Sequence, residues 1–250
     1  MSWNSIMGFI STVTLFLPIV FIIALGLWKY RSFPALLAYY VSVFVYNLFT
    51  EGYIRADQSV IQNWGLINNV IDAPLMLYFL TYFSMSAAFT KRMHILILGF
   101  VVFEAAIITW KGLNIDAITI IMGPGLLSVI GYSLFFFIRQ TKIAITHQKA
   151  PGKAVIASSL IFAYGCYGIL YLMYYVLKTP YVAHTFLIYF LVTTISSLIL
   201  ATGILIEKKR VQKLLELKVA RKELSALYSE SKKTTPLRTV FLDFDKENYN

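Results

Sequence analysis

The chain has 250 residues, of which 58% are apolar or aromatic and only 14% charged, against roughly 25% charged in an ordinary soluble domain. So few polar residues cannot cover the surface of a fold this size, so the medium around most of the chain is lipid. The net charge of +10 would suit nucleic acid if it were spread evenly, but it is confined to a few loops and the C-terminal region. The single cysteine, Cys166, excludes a disulfide framework, a cysteine zinc site and an iron–sulfur cluster.

Seven apolar stretches are long enough to cross the hydrocarbon core, which takes about 20 residues of helix. They cover 6–28, 34–54, 66–89, 94–110, 115–138, 154–177 and 184–206, about three fifths of the chain. The expected fold is therefore all-α: a polytopic seven-helix transmembrane domain over 1–206 with the lipid bilayer as its main partner. The first stretch lacks a basic leader and is too long for a signal-peptide core, so it is expected to be retained. The fourth is the weakest, being short and carrying Glu104.

The loop charges test the count independently. Lys29 and Arg31 follow the first stretch, Lys91 and Arg92 the third, four cations lie between the fifth and sixth, and eleven follow the seventh. Nineteen of the 22 cations thus fall on one side, leaving only Arg55, Lys111 and Lys178 on the other. That asymmetry implies a multi-pass protein of the cell (inner) membrane with its N-terminus outside and its C-terminus in the cytoplasm. A six-span chain would put basic loops on both sides. Trp3, Trp28, Trp64 and Trp110 fall at stretch ends, where amphipathic rings anchor at the interface.

Catalytic patterns are absent. No Walker loop, nucleophile elbow, zinc-protease helix or dinucleotide fingerprint occurs. His94, His147 and His184 are spread over both sides of the membrane and cannot share a metal. No lysine lies within the seventh stretch, which excludes a retinal Schiff base. Neither a cofactor nor enzymatic activity is expected.

What remains is polar chemistry in the outer half of the spans. Asn47 and Glu51, and likewise Asn68 and Asp72, are i, i+4 pairs that give each helix a polar stripe. Glu104 lies six residues from Trp110, about 9 Å at 1.5 Å per residue, a depth comparable to that of Asp72. Ionisable groups in lipid cost about 2.5 to 3.5 kcal/mol each on insertion scales, so they normally face the bundle interior and mark function. The competing reading is interhelical glue, at about 0.6 kcal/mol per hydrogen bond. Tyr164, Tyr167, Tyr171 and Tyr174 recur on one face of the sixth stretch. That face either packs the core or, with the carboxylates, lines a pocket for a cationic or polyhydroxylated ligand. Pro74 and the Gly123-Pro124-Gly125 run permit kinks beside this region.

Residues 207–233 read as a basic helix continuous with the seventh stretch. Leu217, Ala220, Leu224 and Leu227 form a short coiled-coil seam through which the helix would pair with a partner or a second copy. The cluster Lys208, Lys209, Arg210 and Lys213 suits a helix lying on the anionic inner leaflet instead. Thr234 to Pro236 stop the helix, and 237–250 reads as an extended or disordered tail, with a strand-like alternation of Val240, Leu242 and Phe244.

The topology and the run RVQKLLELKVARKELSALYSES (210–231) resemble the seven-span membrane modules that precede a linker helix and catalytic domain in bacterial sensor kinases. The resemblance covers residues 6–233 and implies a membrane sensor or receptor. Those proteins continue into a phosphoacceptor histidine box and an ATP-binding domain, whereas no histidine follows His184 here. The output is thus expected from a cytoplasmic signalling partner. A transporter or ion-channel subunit with the carboxylates as a proton or cation path is the alternative, as is a structural subunit of a membrane complex. Seven spans do not split into the two equal halves of many transporters.

Reporter fusions at Trp3, at Trp110 and after Lys233 are expected to read outside, outside and inside. A cytoplasmic signal at Trp110 would contradict the seven-span topology.

Overall fold

The computed structural model describes residues 3–84, 86–147, 150–177 and 182–231. Among them every element is helical: α1 (Trp3–Ala24), α2 (Phe33–Thr50), α3 (Gln58–Leu80), α4 (Ala87–Lys111), α5 (Ile115–His147), α6 (Pro151–Tyr171) and α7 (Val182–Ser231). Short 3-10 turns follow α1 at Leu27–Lys29 and α3 at Thr81–Phe83, and a π-helical turn, Leu172–Val176, extends α6. All seven α-helices contain a stretch long and apolar enough to cross a membrane, so the chain is an all-α, multi-pass membrane protein.

The helix ends follow local chemistry rather than hydropathy. Pro34 opens α2, where its missing N–H costs nothing and its fixed φ suits the first turn. Gly112, with φ of 77°, closes α4 by donating its N–H to the Ile108 carbonyl at 2.8 Å; a side chain there would strain the backbone. Asn114 starts α5, its Oδ1 accepting the Ala117 N–H at 2.8 Å. Hydropathy marks only the part of a helix that lipid accepts, so α4 begins before the apolar run from 94, and α5 continues past 138 to His147. Pro18, Pro74 and Pro124 lie inside helices, as neighbouring helices in a membrane permit.

The chain divides into two units, Met1–Lys208 and Lys209–Asn250. In the first, α5 lies along α6, and α3 packs on both α2 and α5. Small residues set the closest approaches. A Cβ on Gly125 would sit 2.9 Å from the Ala73 side chain and 3.1 Å from the Phe100 ring, and one on Gly203 would sit 2.7 Å from Ile156. Glycine at such contacts lets backbones meet where lipid gives no hydrophobic drive. The other faces carry apolar side chains to the surface, Leu127 and Ile145 being about three quarters exposed, as a lipid solvent allows.

Polar side chains tie the helices inside. Asn47 donates to Thr12 Oγ1 at 2.7 Å between α2 and α1, and Ser159 donates to the Ser196 carbonyl at 2.7 Å between α6 and α7. Ser32 and Thr81 share a hydrogen bond of 2.8 Å. At the end of the bundle formed by the start of α6, Tyr82 is a junction. Its hydroxyl donates to Glu207 Oε1 at 2.5 Å, and its carbonyl accepts from Lys153 Nζ at 3.3 Å. The same ammonium lies 4.4 Å from the Tyr82 ring centroid, within cation–π range. Tyr82, Lys153 and Glu207 are all buried. Gly152 makes room for α7, since a Cβ there would lie 2.7 Å from the Glu207 backbone nitrogen.

The second unit is helical through Ser231. Its Leu217 and Leu224 side chains are exposed. The Leu227 side chain, like the whole of the strand-like tail, lies outside the described residues.

Deleting the Tyr82 hydroxyl removes the hydrogen bond that it gives to the buried Glu207 carboxylate. Tyr82→Phe should therefore cost about 1.5 to 3 kcal/mol, the worth of a hydrogen bond to a charged group. Tyr78→Phe, at a side chain 42% exposed, should be nearly silent. Thermal melts of the detergent-solubilised protein check this; indistinguishable melts would contradict it.

Candidate functional site

Five helices and the π turn surround a cavity of about 590 Å³ at the opposite end of the bundle from Tyr82. That volume is within the usual range of ligand pockets, roughly 300 to 1,000 Å³, and equals the bulk share of roughly twenty waters at about 30 Å³ each.

Each wall is a helical face. On α2, Tyr39, Val43, Tyr46, Asn47 and Thr50 face the cavity, with Glu51 just past the helix end. The steps of three and four residues keep them on one side. On α3 the same spacing presents Gly65, Asn68, Asn69 and Asp72. The α5 wall is apolar, with Met122 and Leu126 on either side of the Gly123-Pro124-Gly125 run. Tyr167, Leu170 and Tyr171 come from α6, Tyr175 from the π turn, and Tyr189 and Phe190 from α7.

Asp72 is the hub of the deep end. Tyr164, itself buried, donates its hydroxyl to Asp72 Oδ1, linking α6 to α3. Two further tyrosine hydroxyls are engaged with protein groups. Tyr167 shares a 2.9 Å hydrogen bond with Thr193 on α7, and Tyr171 donates to the Thr119 carbonyl at 2.8 Å on α5. Gly123 allows the latter contact, since a Cβ there would lie 3.1 Å from the Tyr171 hydroxyl. The rings turn tilted or edge-on faces to one another, with centroids 6.1 Å apart for Tyr164 and Tyr167 and 5.7 Å for Tyr167 and Tyr189. Asn68 Oδ1 is buried and has no hydrogen-bond partner among the described residues. The Glu51 carboxylate packs over the α1 backbone at Gly8, where any side chain would collide with it.

Of the residues singled out in the sequence, Asn47, Glu51, Asn68, Asp72, Tyr167 and Tyr171 line this cavity, and Tyr164 reaches it through its bond to Asp72. Glu104 is not among the lining residues. It is 3% exposed, with no hydrogen-bond partner for Oε1 among the described residues, and lies within electrostatic reach of Asp72. Counting residues from Trp110 gives its depth but not the direction it points around the helix, which is why depth alone grouped it with the other acids.

Sequence reasoning overlooked Tyr39, Tyr46, Asn69, Tyr175 and Tyr189. Tyr39 and Tyr46, seven residues apart, share a helical face with Asn47, and that periodicity was a usable signal. Tyr175 follows Tyr171 by four residues and so continues the stripe of Tyr164, Tyr167 and Tyr171, a second usable signal.

The described residues contain no group of three metal-ligating side chains, and no nucleophile paired with a base lines the cavity. The arrangement can hold and orient a molecule. Comparisons with protein-family models, curated proteins and solved structures give no match.

Proposed function

We propose that this protein is a membrane sensor with an outward-facing ligand pocket, coupled to the cytoplasm through α7. The observation that carries the reading is that α7 supplies Tyr189 and Phe190 to the cavity and runs as one helix to Ser231. A ligand pressing on those two rings acts directly on the helix that bears Leu217 and Leu224. The charge partition among the loops supports an orientation with the cavity end outside and the Lys153 end, with its basic loops, in the cytoplasm. The exposed leucines of the C-terminal helix then meet a cytoplasmic signalling protein or a second copy of the chain.

One observation favours a second reading. Glu104 is buried within electrostatic reach of Asp72 and beyond the cavity wall, as a carboxylate relay in a proton- or cation-coupled transporter would require.

A cysteine at Leu224 in a Cys166→Ala background separates the two. Asn69→Trp fills the cavity from its α3 wall and stands in for a bound ligand. The sensor reading expects Asn69→Trp to change cross-linking or thiol modification at position 224 at least twofold in native membranes, with no ion or solute flux in proteoliposomes. An unchanged position 224, together with a flux that Asn69→Trp blocks, would establish the transporter instead.

A further inference from the structure

We infer that the cavity takes an organic cation with apolar bulk, held between the Asp72 and Glu51 carboxylates and the faces of Tyr39, Tyr167 and Tyr189. The inference rests on the reading of the cavity as a ligand site.

Charge is the first argument. Among the described residues, Glu51 and Asp72 are the only ionisable acids or bases that line the cavity apart from the tyrosines, and none of the described lysines, arginines or histidines lines it. Carboxylates facing a low-dielectric space disfavour an anion and favour a cation.

The hydrogen-bond inventory is the second. Tyr164 and Tyr171 spend their only O–H on Asp72 and on the Thr119 carbonyl, and Tyr167 is paired with Thr193. What these side chains leave for a guest is ring surface. Asn68 Oδ1, an acceptor without a protein partner, also lies in this wall. A sugar or other polyol would find donors in the Asn68 and Asn69 amides but would leave the carboxylates without a counter-charge. An ammonium group needs acceptors and negatively polarised ring faces, which is what the wall offers.

Size and ligand count are the third. A bare metal ion is usually held by several His, Cys, Asp or Glu side chains, and the described residues contain no group of three that could hold one. A space of about 590 Å³ with Val43, Met122, Leu126, Leu170 and Phe190 in its walls suits a cation carrying hydrocarbon or aromatic substituents.

Equilibrium dialysis of labelled benzyltrimethylammonium against the purified full chain in detergent tests the inference, with tetraethylammonium and benzenesulfonate as competitors. Saturable binding is expected, displaced by tetraethylammonium and not by benzenesulfonate. Asp72→Asn should weaken it at least tenfold, while Asp116→Asn, outside the cavity, leaves it unchanged. Glu51→Gln, at the cavity rim and away from the Tyr164 hydrogen bond, should weaken it severalfold and serves if Asp72→Asn does not fold. The inference is overturned by absent saturable binding, by equal displacement with benzenesulfonate, or by binding that neither acidic variant alters. Cation binding with a silent position 224 would keep this ligand class and remove the sensor reading. A responsive position 224 without cation binding would do the reverse.

Discussion

Hydrocarbon offers no hydrogen bonds, and that constraint orders the whole bundle. A polar side chain within a span is costly unless it finds a partner inside the protein or faces a space that water or a ligand can enter. Among the described residues, Glu104 Oε1 and the Gln140 amide are exceptions, buried with no hydrogen-bond partner. The pairs Asn47 with Thr12, Ser159 with the Ser196 carbonyl, and Tyr164 with Asp72 meet the first condition, and each fixes how one helix is rotated against the next. Asn68 and Glu51 meet the second by facing the cavity. Once the polar stripes point inward, the apolar faces are left to the lipid.

The same requirement acts differently at the two ends of the bundle. At the Lys153 end, the buried charges are drawn onto one tyrosine, with Lys153 on the Tyr82 carbonyl and ring and Glu207 on its hydroxyl. That end is packed. At the Glu51 end the carboxylates and tyrosines surround open volume instead. In the sensor reading α7 is gripped at Glu207 by a tight hydrogen bond and touched at Tyr189 and Phe190 by the guest. A push at the open end then becomes tilt or rotation about the fixed end rather than a shift of the whole helix, which is how small displacements at an effector site become large ones elsewhere.

The seven helices were legible in the sequence because lipid imposes a crude code: apolar runs of sufficient length, with cations sorted to one side. The stripes Asn47/Glu51 and Asn68/Asp72 were legible because helical periodicity converts spacing into a face. Glu104 was not, since its depth left its azimuth open. The Tyr82 junction left no trace in hydropathy. It joins the end of α3, the start of α6 and the foot of α7, residues 71 and 125 positions apart, and only packing brings them together.

The central claim is that the cavity opens to the outside and favours positive charge. A single cysteine at Asn69, in the Cys166→Ala background, puts a thiol on the cavity wall. Intact cells would be treated with membrane-impermeant methanethiosulfonates, one bearing a trimethylammonium group and one a sulfonate. The account predicts modification from outside, with the cationic reagent reacting at least tenfold faster than the anionic one. Modification only after the cytoplasmic face is exposed, or equal rates for the two reagents, would contradict it.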